Sequence, residues 1–534
     1  MTPSSSDSSG SRHALRRWAS STVQLSIVRW ALALLLCLIV FGEISGPTWN
    51  PVPYHARLTP STSDTAIGTS GTGDALGTYP VTVQTTQVET TGGVLRVAIY
   101  SPRIENDLRP ALQPPLDPGT AVIFIHGAGS ADFRRFEPHA RALASAGITA
   151  VVPDKPQAEY SVAHRNYPAM ARDYQEVAQW VSELPDIRTV GYYAESEGAY
   201  IAPIVAAEDP QTAFVVLVSA PVVAPRAQAA FAADSYLRNT FVPDNVFSII
   251  PRGLGATFPF GVLDYADFDV HHYQQHMTCP VLMTYGTADS SMPLIQGADE
   301  TIRDLAVAGN ASVTVRYYAK ANHGMKIDGE LVRAFLRDTA QWINTLPDSA
   351  TAAPKIAGVT PQQRFYALPP PAPSWYASGN MIVYGFLAGP LMLGLGLGAG
   401  VIVSTGQWLA RRREGLRTFT TATWHLLRVC AAATLAAIAA WVIHLAYLIT
   451  IAQLAVNYQT SRIAVGGGWI VSHATAVFAA VVCAMALRDT WNARRARLSV
   501  ALGPTLMMAG MTLSALCLLI VGAYWAMFAP LSLF

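Results

Sequence analysis

The sequence predicts an α/β domain, built on a mostly parallel sheet with helices on both faces and a cap insertion, that is joined to an all-α transmembrane bundle. Two observations predict this combination. Short strand-like apolar runs, such as residues 121–125, 280–286 and 312–318, are bounded by polar loops and helix-forming runs. Beyond residue 380 the apolar stretches become long enough to cross a bilayer.

Composition supports a membrane location for part of the chain. Of the 534 residues, 51% are hydrophobic and only 13% are charged, which is too apolar for an ordinary soluble protein of this length. The formal net charge of +1 gives no indication of nucleic-acid binding, and no nucleic-acid partner is predicted. The predicted partner is the lipid bilayer.

The first apolar stretch lies near the N-terminus. Residues 1–21 are predicted to be a cytoplasmic segment and residues 22–43 a transmembrane signal anchor. Arg29 interrupts this stretch, so its purely apolar part, residues 30–41, has only the length found in signal peptides, and a cleaved signal peptide is the alternative. The anchor is favoured because Pro47 follows the best small-residue cleavage site.

Residues 191–198 have the pattern of a nucleophilic serine on a sharp turn between a strand and a helix. In such an elbow the residues two before and two after the serine are small, because the two backbones pass close together. Around Ser196 these positions hold Ala194 and Gly198, whereas the commoner form has glycine at both. The pattern predicts Ser196 as a candidate nucleophile.

Two further residues follow Ser196 in the order of a serine, acid and histidine triad. Asp289 lies on the loop after the apolar run 280–286, and His323 follows the alternating run 312–318. A serine hydroxyl is a poor nucleophile at neutral pH, so it needs a neighbouring base, and the base needs a group that fixes its tautomer. The alternative is that Ser196 caps a helix, Asp289 closes a turn and His323 lies at the surface.

Residues 80–346 resemble the α/β-hydrolase superfamily, in particular bacterial esterases of the dienelactone-hydrolase and S9-peptidase-like branch. The Ser-Glu-Gly elbow at residues 196–198, followed by Ile-Ala-Pro at residues 201–203, carries this resemblance. It implies a serine esterase, and no cofactor is predicted. Glu195 stands where the family often has histidine, and Ala199 where it often has glycine.

The resemblance also implies a role for individual residues. The nucleophile, the general base and the acid that orients the base are, in that order, Ser196, His323 and Asp289. The oxyanion-hole donors are the backbone N–H of Glu197 and that of Ala128 or Gly129, in the His-Gly-x-Gly turn after residues 121–125. No metal site is predicted, because the adjacent His271 and His272 point in different directions on a helix or a strand.

Segments around the hydrolase-like region divide the chain further. Residues 44–79 and the Pro-rich residues 347–379 are predicted to be linkers. Residues 221–278 are longer than a crossover between strands requires and are predicted to form a cap. Their aromatic content has two interpretations, a helix pair packed over the sheet and a lid that forms the acyl side of the substrate pocket. A mixture of the two is predicted, and it favours an apolar acyl or aromatic ester over a charged peptide.

Four candidate spans form the predicted transmembrane domain at residues 380–534, namely residues 381–404, 429–454, 467–487 and 503–527. The loops after the first and third spans are rich in arginine, whereas the loop 457–466 carries only Arg462. Under the positive-inside rule this charge pattern places the N-terminus in the cytoplasm and the hydrolase-like domain outside the bacterial plasma membrane.

Two features within the spans have competing interpretations. The small residues Gly385, Gly389, Gly394, Gly398 and Gly400 indicate close helix packing first, and a homo-oligomer interface second. His444 and His473 lie on neighbouring spans, where a haem-ligating pair is less favoured than hydrogen bonding between helices.

The function predicted from these residues is hydrolysis of a small-molecule or lipid ester. A peptidase and an envelope acyltransferase are alternatives that use the same triad. An alternative of another class is a non-catalytic membrane sensor or scaffold with a hydrolase-like domain.

Overall fold

The computed structural model describes residues 8–67, 74–103, 119–129, 131–411, 419–457 and 459–529. These residues form two compact units. The first unit consists of Asn50–Ser235 and Phe260–Pro370, and the second joins the remaining described residues, including the inner segment Tyr236–Pro259.

Eleven strands are found in the described residues, and all belong to the first unit. In chain order they are β1 (Val81–Thr90), β2 (Gly93–Pro102), β3 (Thr120–Ile125), β4 (Thr149–Pro153), β5 (Thr189–Glu195), β6 (Val215–Val218), β7 (Val281–Gly286), β8 (Val313–Tyr318), β9 (Lys326–Ile327), β10 (Glu330–Leu331) and β11 (Ile356–Gly358). Nine of them form one sheet in the order β1-β2-β4-β3-β5-β6-β7-β8-β11, and β9 and β10 form a short hairpin.

The α-helices of the described residues are distributed over both units. In chain order they are α1 (Ser8–Ser45), α2 (Glu137–Ser145), α3 (Tyr167–Ser182), α4 (Gly198–Glu208), α5 (Pro225–Thr240), α6 (Asp244–Phe247), α7 (Ile249–Leu254), α8 (His271–Gln274), α9 (Leu294–Val307), α10 (Arg333–Asn344), α11 (Asp348–Thr351), α12 (Gly379–Arg411), α13 (Thr421–Val456), α14 (Gly468–Arg495) and α15 (Leu502–Tyr524).

The sheet is antiparallel only at the end formed by β1 and β2, and parallel from β4 to β11. Successive side chains of a strand point to opposite faces. In β3, Val122 and Phe124 pack in the core beneath α2 and α10, whereas Ile123 and Ile125 pack in the core beneath α3 and α4. Strands buried on both faces explain why these runs are continuously apolar. The predicted α/β-hydrolase fold, with helices on both faces, is confirmed.

Most residues of the two predicted linkers belong to the first unit, and the two segments pair with each other. The backbone N–H of Tyr54 donates to the carbonyl oxygen of Arg364 at 2.9 Å, and that of Tyr366 donates to Val52 at 2.8 Å. The segment 356–358 is itself β11, which pairs with β8. The description of residues 44–79 and 347–379 as simple linkers is therefore too coarse, because backbone pairing between distant segments leaves no local apolar pattern.

The second unit contains five helices that are long and apolar enough to cross a membrane. They are Gln24–Ser45 within α1, Gly379–Ala410 within α12, α13, Ile463–Arg495, which includes α14, and α15. Large apolar side chains such as Leu387, Leu395 and Ile402 of α12 are exposed in this unit. Exposed apolar surface on such helices is what contact with lipid tails requires.

Some of the α12 glycines that were predicted to allow close helix packing lie against α15. A Cβ atom added at Gly385 would lie 2.8 Å from Val521, and one at Gly400 would lie 2.3 Å from Met507. The closest approach involves Gly396, whose added Cβ would lie 2.5 Å from the Cα of Gly510. These glycines allow close packing within one chain. At Gly394 and Gly398 no described atom lies within 4 Å of such a Cβ, and the homo-oligomer remains a prediction.

The predicted cap, residues 221–278, is divided between the two units. Its inner part, Tyr236–Pro259, belongs to the second unit and includes α6 and α7. Val246 is buried with Tyr447, at the end of α13, and with Trp469, at the start of α14. This inner part is called the bundle insertion below. Its apolar residues Val242 and Val246 are covered by α13 and α14, which a sequence pattern typical of a lid does not reveal.

Arg252 connects the bundle insertion to the ends of two helices by hydrogen bonds. Its guanidinium donates to the carbonyl oxygen of Gly42 in α1 at 2.9 Å and to that of Tyr524 in α15. These carbonyls lie in the last turn of their helices, where no backbone donor is available within the helix. The insertion therefore binds at the end of the bundle where α1, α13 and α15 finish and α14 begins.

Candidate functional site

Ser196 lies on the turn between β5 and α4, in the left-handed backbone region with φ of 54°. A non-glycine residue rarely adopts this conformation, and it marks a turn held by its surroundings. A Cβ atom added at Gly198 would lie 2.7 Å from the carbonyl oxygen of Ile125 in β3. Glycine is required at this position because α4 begins directly against the end of the neighbouring strand. Ala194 is fully buried within β5.

Three side chains from three loops form a hydrogen-bonded series. The Oγ atom of Ser196 lies 2.9 Å from Nε2 of His323, and Nδ1 of His323 lies 2.7 Å from Oδ2 of Asp289. Asp289 follows β7 and His323 follows β8, so both lie at the carboxyl edge of the sheet, as Ser196 does after β5. The structure thus brings together the residues predicted as nucleophile, base and acid.

Two serines that the sequence analysis missed hold this series in place. Ser291 donates to Oδ1 of Asp289 from its hydroxyl at 2.6 Å and from its backbone N–H at 2.9 Å. The hydroxyl of Ser219 donates to the carbonyl oxygen of His323 at 2.8 Å. A Ser two residues after the acid could have been recognised as a turn residue that binds its carboxylate.

The electrostatics of the series favour a charged pair after proton transfer. Burial opposes ionisation of Asp289, but the charge and hydrogen bond of His323, together with Ser291, lower the pKa of its carboxyl. Burial also disfavours the imidazolium, but the charge and hydrogen bond of Asp289 outweigh it and raise the pKa of His323. The buried carboxylate of Glu195 adds a smaller contribution in the same direction. His323 is therefore a stronger base than a free imidazole.

The turn after β3 passes directly over the elbow. A Cβ atom added at Gly127 would lie 3.2 Å from the Cβ of Ser196. Of the two alternative donors in this turn, the N–H of Gly129 is already bound to the hydroxyl of Tyr160 at 2.8 Å. Among the described residues, no acceptor is found for the backbone N–H of Ala128 or Glu197. Ala128 is therefore the better candidate of the two.

A buried ionic cluster surrounds the side chain of Glu197. One carboxylate oxygen accepts hydrogen bonds from Lys155 Nζ at 2.8 Å and from the Tyr160 hydroxyl at 3.0 Å. The other accepts one from the Tyr167 hydroxyl at 3.1 Å and one from Arg165. The side chains of Lys155 and Glu197 are only 0% and 4% exposed. These residues will be called the Glu197 cluster.

The sequence analysis did not predict the Glu197 cluster, although one signal was present. Lys155 is one of four lysines in the chain and lies two residues after the end of the buried strand β4, where a solvated lysine is not expected. Burial lowers the pKa of its ammonium to about 8, against the opposing attraction of Glu197. Tyr160 and Arg165 gave no such signal, because the path of the loop between β4 and α3 depends on tertiary contacts.

His271, His444 and His473 lie outside the series and have other hydrogen-bond partners. His271 lies 2.5 Å from Asp304 through Nδ1. In the bundle, both ring nitrogens of His444 are engaged, by the Ser472 hydroxyl at 2.8 Å and the carbonyl oxygen of Trp525 at 3.0 Å. His473 lies 3.0 Å from the carbonyl oxygen of Trp469. Within the described ranges, no group of three or more His, Cys, Asp or Glu side chains is placed to hold a metal ion.

No family model and no curated protein matches this sequence. Solved structures are similar over about half of the chain. An esterase from Pyrococcus furiosus is 15% identical, and the match covers 55% of this chain and 95% of the esterase with a TM-score of 0.32. Est1E from Butyrivibrio proteoclasticus is 14% identical over 48% of this chain and 96% of its own, with a TM-score of 0.33.

An acylaminoacyl peptidase from Pyrococcus horikoshii is also similar. It is 14% identical, and the match covers 49% of this chain but only 40% of the peptidase, with a TM-score of 0.33. Two of these three proteins are esterases and one is a peptidase, which are the classes of protein that the sequence around Ser196 resembles. The fold assignment for this chain rests on its own strand order and elbow, and its activity is argued below from its own site.

Proposed function

We propose that this chain is a membrane-anchored serine hydrolase that cleaves carboxylic esters through an acyl-enzyme intermediate. The observation that supports it most is the hydrogen-bonded series from Ser196 through His323 to Asp289. A nucleophile, a base and a group that fixes the tautomer of the base are all required for this chemistry. The strained backbone of Ser196 adds support, because strain of this kind is concentrated at functional sites.

In the proposed acylation step, Ser196 Oγ attacks the ester carbonyl carbon while His323 Nε2 accepts the hydroxyl proton. The backbone N–H groups of Ala128 and Glu197 donate hydrogen bonds to the oxyanion that forms on the carbonyl oxygen. Each such donor contributes about 3 to 4 kcal/mol to lowering the barrier in comparable sites. His323 then gives its proton to the departing alkoxide, so the alcohol leaves and Ser196 carries the acyl group.

Deacylation repeats these steps with water. His323 Nε2 takes a proton from the water molecule as its oxygen attacks the acyl carbon, and the same N–H groups bind the second oxyanion. The proton passes to Ser196 Oγ as the bond from Oγ to the acyl carbon breaks. The acid is released, and Asp289 keeps the imidazole in the required tautomer throughout.

The proposed cellular arrangement places the hydrolase on the outer face of a bacterial plasma membrane. The chain enters the first unit where α1 ends and leaves it just before α12 begins, so the hydrolase is connected to that end of the bundle. The arginine-rich connections follow α12 and α14, at the opposite end. Basic loops remain in the cytoplasm, which supports an extracytoplasmic hydrolase.

The first test separates a catalytic serine hydrolase from the sensor or scaffold class. A fluorophosphonate probe reacts with an activated serine, so we expect it to label the wild type and not Ser196→Ala. Ser182→Ala is the control, because the exposed hydroxyl of Ser182 donates to the carbonyl oxygen of Gln179 at 2.7 Å, at the end of α3, and takes no part in the series. If a correctly folded wild type is not labelled, the catalytic classes are excluded and the non-catalytic sensor or scaffold is the alternative that stands.

Substrate class is tested on the full-length protein in detergent. Wild type and Ser196→Ala are compared on short-chain and long-chain p-nitrophenyl esters, aminoacyl amides and lipid esters, with and without an alcohol acceptor. We expect Ser196-dependent release of acid from esters. Cleavage of amides in preference to esters would establish the peptidase, and transfer to the alcohol in preference to water would establish the acyltransferase.

Orientation is tested separately in spheroplasts. Residues 131–235 are expected to be accessible to added protease or to a membrane-impermeant thiol reagent on an introduced surface cysteine. Protection until the membrane is opened would refute the extracytoplasmic location, and it would leave the chemistry of Ser196 untouched.

A further inference from the structure

The turn that carries Ala128 is held on both sides by side chains from the loop between β4 and α3. On one side, Lys155 Nζ donates to the carbonyl oxygen of Gly127 at 2.6 Å. On the other side, the hydroxyl of Tyr160 accepts the N–H of Gly129 at 2.8 Å. The N–H of Ala128 lies between these two bonds and takes part in neither of them.

The two side chains that hold this turn bind the same carboxylate oxygen. Oε2 of Glu197 accepts from Lys155 at 2.8 Å and from Tyr160 at 3.0 Å. Glu197 is also the residue whose backbone N–H is the second proposed oxyanion donor. A continuous set of hydrogen bonds therefore runs from the peptide groups around Ala128 to the residue that supplies the other donor.

The remaining contacts restrict the carboxylate of Glu197 further. Tyr167 and Arg165 bind its other oxygen, and the Arg165 guanidinium stacks 4.3 Å above the ring of Tyr265. Every oxygen of this carboxylate is thus used by at least two donors. Its side chain cannot change rotamer without breaking several bonds at once.

The protonation states follow from burial. The pKa of Tyr160 is raised to about 12 by burial and by the charge of Glu197, so its hydroxyl keeps its proton. A protonated phenol has one hydrogen to donate, which it gives to Glu197, and a lone pair with which it accepts the N–H of Gly129. The direction of each bond is therefore determined.

A buried ion pair seldom adds to stability compared with well-packed apolar residues, because the desolvation of two charges offsets their attraction. Lys155 and Glu197 are almost completely buried, and Lys155 also donates to the backbone carbonyl oxygen of Gly127 in the turn. The arrangement is thus explained better by what it positions than by what it contributes to folding.

We propose that Lys155, Tyr160 and the side chain of Glu197 are positioning residues that fix the separation between the two oxyanion donors, the N–H groups of Ala128 and Glu197. This inference rests on the proposed serine-hydrolase function. The three side chains act through the backbone of the turn and do not touch the substrate.

The main test replaces Tyr160 by phenylalanine in the full-length protein. Loss of the hydroxyl frees the N–H of Gly129 and relaxes the turn, so we expect kcat on a p-nitrophenyl ester to fall by about tenfold to a hundredfold. KM should change by less than about twofold, because the lost positioning matters chiefly in the transition state. The affinity for an alkylboronic acid, which forms a tetrahedral adduct on Ser196, should fall by the same factor as kcat/KM.

Tyr265→Phe is the matched control. Tyr265 lies beneath the same arginine, and its hydroxyl donates to the carbonyl oxygen of Val162 at 3.0 Å, away from the turn. We expect this variant to keep the kcat and boronate affinity of the wild type. Equal kcat values for the two variants and the wild type would overturn the inference.

Two further variants keep the inference testable if Tyr160→Phe unfolds. Glu197→Gln retains the backbone N–H, and Lys155→Met retains the length of the side chain; each should lower kcat and boronate affinity together. Because the three side chains act as one unit, Tyr160→Phe combined with Glu197→Gln should lose little more than the larger single loss. Strictly additive losses would contradict a shared role.

The experiment also separates this inference from the proposed function. If the wild type is labelled by a fluorophosphonate at Ser196 and Tyr160→Phe reacts equally fast, the hydrolase proposal stands and the positioning role is refuted. If the wild type is not labelled at all, the proposed function fails, and the inference fails with it.

Discussion

Substitution of Gly198 by alanine should move the elbow that carries Ser196 away from the turn that carries Ala128. The size of this movement can be estimated from the structure. The added Cβ would lie 2.7 Å from the carbonyl oxygen of Ile125 and 3.1 Å from that of His126, whereas ordinary contact begins at 3.4 Å. About 0.7 Å of separation is therefore needed between the start of α4 and the end of β3. Neither contacting atom belongs to a flexible side chain, so the backbone must move.

That movement acts directly on the proposed chemistry. Ser196 lies two residues before the substituted position, and the turn with Ala128 follows β3 immediately. Because a misplacement of about 1 Å can cost about a hundredfold in rate, we expect kcat/KM to fall by about thirtyfold to a hundredfold. Overpacking of this kind also destabilises a core by about 1 to 3 kcal/mol, which should lower the thermal unfolding midpoint.

The assay compares ester hydrolysis and thermal unfolding of the purified full-length variant with those of the wild type. Gly253→Ala is the control, because a Cβ at that position would meet nothing closer than 3.6 Å. A Gly198→Ala protein with wild-type kcat/KM would refute the argument that this close approach aligns the nucleophile with the oxyanion turn.

Two other predictions concern charge. Glu195→Gln removes a carboxylate that helps to raise the pKa of His323, so this pKa should fall. Because the neutral imidazole is the active base, the acidic limb of the kcat/KM profile should move to lower pH, by less than about one unit. A shift to higher pH would contradict this reasoning. Arg252→Met should destabilise the protein in detergent by about 2 to 4 kcal/mol, because the carbonyls of Gly42 and Tyr524 lose their donors. The exposed Arg462→Met serves as the control, and equal unfolding midpoints for the two variants would contradict the structural role of Arg252.

The sequence was sufficient to predict the sheet and the Ser196, His323 and Asp289 arrangement because each depends on a local pattern. A buried parallel strand is a short apolar run, and the residue that follows it lies at the carboxyl edge of the sheet. Chain order then brings the three side chains to the same edge. The resemblance to the α/β-hydrolase superfamily supplied their roles.

The Glu197 cluster could not be predicted in the same way. Lys155, Tyr160 and Arg165 come from one loop with no periodic pattern, and their convergence on Glu197 depends on where that loop runs. The bundle insertion was misjudged for a related reason. Val246 and its apolar neighbours would suit a lid over a pocket as well as a surface packed against helix ends, and only tertiary contacts distinguish the two.

The bundle insertion has a consequence for the order in which the chain can assemble. The last strand of the sheet, β11, ends at Gly358, whereas α15, whose end binds Arg252, is complete only at Tyr524. At about 5 to 20 residues per second, synthesis of the intervening chain takes roughly ten to thirty seconds. During this interval the sheet can be finished while the insertion has only part of its contacts, because the carbonyl oxygen of Tyr524 that binds Arg252 has not yet been made. A segment from the centre of the sequence is therefore among the last to gain its full set of contacts, which requires the final helix of the bundle.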